Sequence, residues 1–122
     1  MILVDTSIWI DHLRKPEPRL KQLLENDDVA THPYIILELA LGSIANRAQF
    51  LKNMALLHHM PVAEIAELRE LIEQRRLFRR GIDVTDIHLI ASVLFSQSIR
   101  IWTRDRRLGE LAEELGIRAA VA

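Results

Sequence analysis

The sequence predicts an α/β fold with a central parallel β-sheet flanked by α-helices. Short apolar runs, such as 1–4 and 99–103, alternate with segments whose apolar residues recur at helical spacing. Helices placed between short apolar strands connect parallel strands and cover both faces of the sheet. With no linker, repeat or low-complexity stretch, the 122 residues are expected to form a single domain over 1–122.

The first part of the chain predicts two strands and two helices. The opening apolar run is a strand, and Thr6 or Ser7 is expected to cap a helix that continues to about Arg14. Hydroxyl side chains suit that position because they accept hydrogen bonds from the first turn of a helix. Prolines end this helix, the leucines of 20–24 give the next helix its apolar stripe, and a strand follows at 29–31.

The middle of the chain is predicted to be helical. Pro33 suits the first turn of a helix that runs to about Gly42. The segment 45–58 continues helically, with His58 and His59 as helix-end residues before the next proline. A long amphipathic helix then follows at 64–79, with three apolar residues on one face: Ile65, Leu68 and Ile72.

The last third predicts two helices and two strands. The first helix has the apolar spacing of a packed helix at Ile87, Ile90, Ala91, Leu94 and Phe95. A strand is expected at 99–103. The final helix ends at Gly116, and 117–121 is predicted to form a last strand.

Composition excludes several classes of protein. There is no cysteine, which rules out a disulfide framework, a thiol nucleophile and a thiolate zinc site, and a cytoplasmic location is expected. No apolar run approaches the ~20 residues of a membrane span, and Asp5 lies where a secretory leader would be basic. The net charge is −1, but most basic residues are arginine, whose planar group suits phosphate and carboxylate.

Four acidic residues fall where parallel sheets bind ligands, beyond the carboxyl ends of strands. Asp5 and Asp105 follow predicted strands, and Asp86 begins a helix, although each could also be a local cap or turn residue. Glu38 lies in a helix that is apolar on nearly all sides, with no basic residue three or four positions away. Its buried charge would need an arginine from another helix or a metal ion opposite it.

An all-carboxylate pocket favours hard divalent cations, Mg²⁺ or Mn²⁺, over zinc. Such ions clamp phosphate oxygens and lower the pKa of a bound water, so the four acids together could hydrolyse a phosphodiester. Thr6, Ser7 and Thr103 adjoin the acids. They could orient the carboxylates through hydrogen bonds, or they could simply be local caps.

Basic and aromatic residues give weaker signals. Arg104, Arg106 and Arg107 flank the predicted pocket and could hold RNA phosphates. A second basic cluster within 75–80 fits a solvated helix terminus. Four further residues are expected to pack in the core rather than bind a ligand: Trp9, Tyr34, His88 and Trp102.

Four segments of the chain carry a resemblance to a known family. They are LVDTS at 3–7, the helix that contains Glu38, DIHLIAS at 86–92 and WTRDRRL at 102–108. In order and spacing they resemble PIN-domain ribonucleases, and the chain is similar in length to the VapC toxins of VapBC toxin–antitoxin pairs.

The resemblance implies a PIN-like single domain with magnesium-dependent endoribonuclease activity on RNA, and Mn²⁺ as a substitute ion. Asp5, Glu38, Asp86 and Asp105 would be its catalytic, metal-binding acids. It also implies a homodimer and inhibition by a small VapB-like antitoxin whose C-terminal segment blocks the site. Asp83 lies close to Asp86 and could either replace it or belong to the loop.

Two other functions remain open. A non-catalytic PIN scaffold could bind RNA or protein, although retention of all four acids argues against it. An aspartate-based phosphotransfer protein would also place an aspartate after the first strand. Such proteins normally need a late lysine, whereas none follows Lys52, and an Asp-x-Asp pattern is missing at Asp5.

Overall fold

The computed structural model describes residues 1–121. Within them, four strands and seven helices follow in the order β1 (Ile2–Val4), α1 (Thr6–Arg14), α2 (Pro18–Glu25), β2 (Val29–Thr31), α3 (Pro33–Ala40), α4 (Arg47–Ala55), β3 (His58–His59), α5 (Ile65–Arg75), α6 (Val84–Leu94), β4 (Arg100–Trp102) and α7 (Arg106–Glu114).

The four strands form one parallel sheet in the order β3-β2-β1-β4. Ile2 pairs with Val29 on one side and with Arg100 on the other. The predicted α/β class with a helix-covered parallel sheet is confirmed. Because the strands are parallel, their carboxyl ends meet at one edge, where the Asp5 N–H donates to the Trp102 carbonyl at 3.0 Å.

The core lies on both faces of the central strands. Leu3 and Val4 in β1, Ala30 in β2 and Ile101 in β4 are all inaccessible to solvent. A strand that is buried on both faces reads as a continuous apolar run rather than an alternating one, which is why the short runs in the sequence identify these strands. Among residues 1–121, no helix combines the length and apolar character that crossing a bilayer requires.

The prediction that His58 and His59 end a helix is wrong. They form β3, in which His58 pairs with Ala30 and His59 with Thr31. The next residue continues the ladder, since the Met60 N–H donates to the Thr31 carbonyl at 2.8 Å. Two exposed polar residues have no apolar pattern, so only pairing with β2 defines this strand.

Three further predictions fail in detail. Ile65 is exposed at the first position of α5, and Leu71 is buried instead of it. Phe95 caps the end of α6 with 56% of its surface exposed. The last strand predicted at 117–121 reduces to an isolated bridge between Arg118 and Ile101.

Candidate active site

Asp5 joins β1 to α1 and is buried. It caps α1, where the sequence predicted Thr6 or Ser7, because its extended backbone lets the side chain turn back toward the Ser7 N–H at 3.4 Å. The same oxygen, Oδ2, accepts hydrogen bonds from the Ser7 hydroxyl at 2.8 Å and the Thr103 hydroxyl at 2.7 Å. Donors from two elements therefore fix this carboxylate.

Thr103 links Asp5 to the second aspartate at this edge of the sheet. Its hydroxyl oxygen also accepts the Asp105 N–H at 3.0 Å. Asp105 caps α7 through its Oδ1, which accepts the Leu108 N–H at 2.9 Å. The helix-cap role considered for Asp105 is therefore present, and it occupies one of the two carboxylate oxygens.

Asp86 does not cap the helix that follows it. Asp83 is the cap of α6, and the two aspartates form a reciprocal capping box. The Asp86 N–H donates to Asp83 Oδ1 at 2.9 Å, and the Asp83 N–H donates to Asp86 Oδ2 at 3.1 Å. Asp83 therefore has a structural role that orients Asp86.

The environment of Asp86 places three candidate acids in one negative region. Burial raises the pKa of Asp86 to about 7, the hydrogen bond from the Asp83 N–H opposes that rise, and the charges of Asp83, Asp5 and Asp105 add to it. Coulombic effects of this kind require neighbouring charges. The structure thus brings Asp5, Asp86 and Asp105 together.

Glu38 is half-buried on α3 rather than enclosed, because the same helix exposes Leu37 to solvent. Its Oε1 accepts the Thr6 hydroxyl at 2.6 Å. No ion pair within residues 1–121 involves Glu38. Glu38 is therefore less buried than its apolar helix predicted, and the arginine partner from another helix is absent within residues 1–121. The hydrogen bond holds Glu38 next to the residue that follows Asp5.

The four acids share one arrangement: one oxygen is engaged in a structural hydrogen bond, and the other receives none from residues 1–121. The engaged oxygens are Asp5 Oδ2, Glu38 Oε1, Asp86 Oδ2 and Asp105 Oδ1. Across the described chain, no group of three histidine or acidic side chains stands ready to hold a metal ion. The acids are therefore neighbours with open oxygens rather than a finished coordination shell.

The arginines beside this region differ in their contacts. Arg104 donates to Asp11 at 2.9 Å and to Glu17 at 2.7 Å, and its guanidinium lies 5.6 Å from the centre of the Trp102 ring. It connects the α1–α2 turn to the end of β4. Arg106 and Arg107 are exposed at the start of α7.

A buried histidine pair lies between α3 and α6. His32 Nδ1 accepts the Tyr34 N–H at 3.0 Å, and the Tyr34 ring stacks on His88 with centroids 3.9 Å apart. Burial, and secondarily the neighbouring His88 and His59, lower the pKa of His32 to about 4. The core interpretation is confirmed for Trp9, His88 and Trp102, whereas Tyr34 is half-buried.

A groove of about 360 Å³ adjoins Glu38, and sequence reasoning missed it. Ile10 and Leu13 on α1 form part of its wall, and each is 41% exposed. Two apolar residues three apart on a helix suggest a packed face. Only the fold reveals that the α3–α4 connection leaves this face open.

Comparisons with known proteins agree with the geometry. The family model for the PIN domain matches residues 2–114. Ribonuclease VapC32 from each of two strains of Mycobacterium tuberculosis is 45% identical over 120 residues, which cover 98% of this chain and 97% of the relative. The crystal structure of PAE2754 from Pyrobaculum aerophilum superposes with a TM-score of 0.59 at 20% identity, over 94% of both chains. The last comparison supports the fold alone.

Proposed function

This chain belongs to the PIN-domain family, and from that premise we propose that it is a metal-dependent endoribonuclease of the VapC type, acting as one domain over 1–122. The observation that carries the proposal is the negative region formed by Asp5, Asp86 and Asp105 at the carboxyl edge of the sheet. RNA phosphodiester hydrolysis is the reaction that best uses such a region together with a divalent cation.

The residues fit Mg²⁺, with Mn²⁺ as a substitute. All candidate ligands are carboxylate oxygens, which hard cations prefer. Burial, and secondarily the charges of Asp83, Asp5 and Asp105, raise the pKa of Asp86, which supports a site where a bound cation would favour the charged carboxylates. We therefore assign Asp5, Asp86, Asp105 and Glu38 as metal ligands. When bound, the ion offsets phosphate charge and makes a water acidic enough to attack near neutral pH.

The chain's own residues would position these acids. Ser7 and Thr103 hold Asp5 Oδ2, so that Oδ1 stays available. Thr6 holds Glu38 Oε1, which leaves Oε2 available as a ligand or as the acceptor of a proton from the attacking water. In this proposal the three hydroxyl residues act by orienting the acids and not by touching the RNA.

The proposal is tested with a labelled structured RNA, incubated with purified protein in Mg²⁺, in Mn²⁺ and in chelator. We expect cleavage only with metal, and loss of cleavage in Asp5→Asn and in Asp86→Asn. Glu110→Gln, an exposed acid on α7, is the control and should cut like the wild type. Cleavage that survives in both Asn variants would contradict the assignment.

A folded protein that neither cuts RNA nor binds magnesium would favour the non-catalytic scaffold instead. A magnesium titration, recorded by calorimetry, separates the nuclease from the non-catalytic scaffold, because only the nuclease needs an ion at the acids. Asp5→Asn should abolish that binding signal. RNA cleavage without any metal would exclude both the metal-dependent nuclease and the non-catalytic scaffold.

The proposal includes a VapB-like antitoxin as inhibitor. The groove beside Glu38 supports this partner, since a peptide in contact with Ile10 and Leu13 would lie against Glu38. Leu13→Asp should weaken capture of the antitoxin while RNA cleavage persists.

We further propose that the protein forms a homodimer, to be checked by light scattering. We also propose a cytoplasmic location, where its RNA substrate would be found.

A further inference from the structure

The connection between α5 and α6 carries a cluster of exposed arginines and an exposed aromatic residue. We refer to residues 75–82 as the arginine loop. Leu77 is buried and anchors it, whereas Phe78 next to it is 47% exposed. Arg75, Arg76 and Arg79, which are within three residues of Phe78 in sequence, are exposed as well. Cations beside an accessible ring form a surface that matches the phosphates and bases of RNA.

These three arginines are not used to stabilise the fold. Within residues 1–121, Arg75, Arg76 and Arg79 form no ion pair and no side-chain hydrogen bond. Arg80 differs, because it pairs with Glu114 on α7 at 2.8 Å. The sequence favours the interpretation of this cluster as a solvated helix end. That interpretation explains why the arginines are exposed, but it does not explain the exposed phenylalanine among them.

The backbone places two of these arginines at a conformational cost. Arg76 ends α5 with a φ of 53°, and Arg79 follows with a φ of 63°. Both lie in the left-handed region, where glycine is the least strained residue and is the usual choice at a helix end. Glycine would avoid the backbone strain but would carry no charge, whereas arginine at these two positions provides a cationic side chain.

The arginine loop is joined to the candidate active site at its carboxyl end. Arg107 of α7 lies against Gly81, with its Nη1 3.5 Å from the Gly81 carbonyl oxygen. Two residues after Gly81, Asp83 caps α6 and holds Asp86. The carboxyl end of the arginine loop therefore meets the first turn of α7 close to the acids.

We propose that the arginine loop is a second RNA-binding subsite, in which Phe78 stacks on an unpaired nucleobase near the scissile bond and Arg76 and Arg79 bind the flanking phosphates. The inference rests on the proposed ribonuclease function and adds to it the chemistry of the substrate on one side of the cut. A stacked ring selects for a single-stranded segment, because a paired base does not offer a free face. The protein is thus expected to cut in loops or bulges.

The test measures binding and cleavage of one probe, a fluorescein-labelled pool of RNA hairpins with randomised loops. Binding is followed by anisotropy in chelator, and cleavage is followed in Mg²⁺. Phe78→Leu keeps the apolar packing but removes the ring, and should weaken binding about fivefold or more and raise KM with kcat unchanged. Phe78→Trp should restore both values. Phe95→Ala, which removes another exposed ring at the end of α6, is the control.

The arginines are tested through the salt dependence of binding. Arg76→Gln and Arg79→Gln should each reduce the slope of log K against log salt by about 0.7, the value for one phosphate contact on a single strand. Arg69→Gln removes an equal charge from an exposed position in the middle of α5 and should leave the slope unchanged. Thermal melting by circular dichroism verifies that every variant is folded.

The outcomes separate the inference from the proposed function. If the wild type binds and cuts the pool and Phe78→Leu is indistinguishable from it, the subsite alone is overturned. The subsite is also overturned if Phe78→Leu changes only the self-association of the protein and leaves RNA binding unchanged. Wild type that binds without cutting overturns the hydrolysis, and the binding arm still decides the subsite. Wild type that binds no RNA overturns both.

Discussion

Thr103 offers a direct test of how the fold holds the acids. Thr103→Val preserves the shape of a buried side chain and removes one hydroxyl, which donates to Asp5 at 2.7 Å and accepts the Asp105 N–H at 3.0 Å. A hydrogen bond to a carboxylate contributes about 1.5–3 kcal/mol, and an unpaired buried donor costs about 1–3 kcal/mol. Since the Asp105 N–H is only partly buried, we expect the free energy of unfolding to fall by about 2–4 kcal/mol in total.

Urea unfolding at neutral pH in chelator measures this loss. Thr103→Ser keeps the hydroxyl and should recover most of the stability. Thr85→Val, at a half-buried threonine of α6 whose side chain forms no hydrogen bond with residues 1–121, should change little. RNA cleavage by Thr103→Val should fall as well, because Asp5 loses one of the two hydroxyl donors that orient it. A loss of stability below about 0.5 kcal/mol, the range of ordinary surface substitutions, would refute the idea that this hydroxyl holds the site.

Three further predictions concern charge and backbone. Burial raises the pKa of Asp86 from 3.8 to about 7 in the folded protein. Between these pH values the folded state binds more protons than the unfolded state, so the protein loses stability as the pH rises. Asp86→Asn should therefore stabilise the metal-free protein at pH 8 by about 1–3 kcal/mol, and by progressively less as the pH is lowered toward 4. His32 affects stability in the opposite direction, because burial lowers its pKa from 6.5 to about 4 in the folded protein. Its contribution to the free energy of unfolding is complete above pH 6.5 and is lost as the pH falls toward 4, by up to about 3 kcal/mol. His32→Gln should flatten that part of a pH series of urea unfolding. Gly81→Ala places a Cβ 2.4 Å from Nη1 of the exposed Arg107 side chain at a φ of 74°. Because that side chain can swing away, the free energy of unfolding should fall by roughly the 1 kcal/mol of left-handed strain. Gly116→Ala, with a φ of 72° and nothing within 4 Å, should lose the same amount in urea unfolding, and a clearly larger loss at Gly81 would contradict a freely moving Arg107.

The positions of the acids were largely accessible from the sequence. Asp5 and Asp105 each follow an apolar run, and parallel strands bring such residues to one edge whatever the details of packing. The convergence of Asp86 on this edge was also predicted. Its partner in the capping box was not, because Asp83 and Asp86 are equally acidic and only backbone geometry shows which one begins the helix.

Other features depend on contacts distant in sequence. The donor to Glu38 is Thr6, thirty-two positions earlier, so reasoning from neighbours on α3 led to an unsatisfied buried charge. β3 consists of two exposed histidines and exists only through pairing with β2. Likewise, the arginine loop looked like an ordinary helix end until the exposure of Phe78 and the left-handed arginines were visible.

Three helices begin at the acid region, and their first turns are held by acidic side chains. Asp5 caps α1, Asp105 caps α7, and Asp86 completes the cap of α6. The positive helix ends moderate the repulsion among these carboxylates before any cation arrives. The same carboxylates therefore serve the scaffold through one oxygen and, in the proposed function, the metal through the other, and alanine substitutions would confound the two roles by releasing a helix end. Asparagine retains the cap and removes the charge, so it is the substitution that would give an inactive protein with its fold intact.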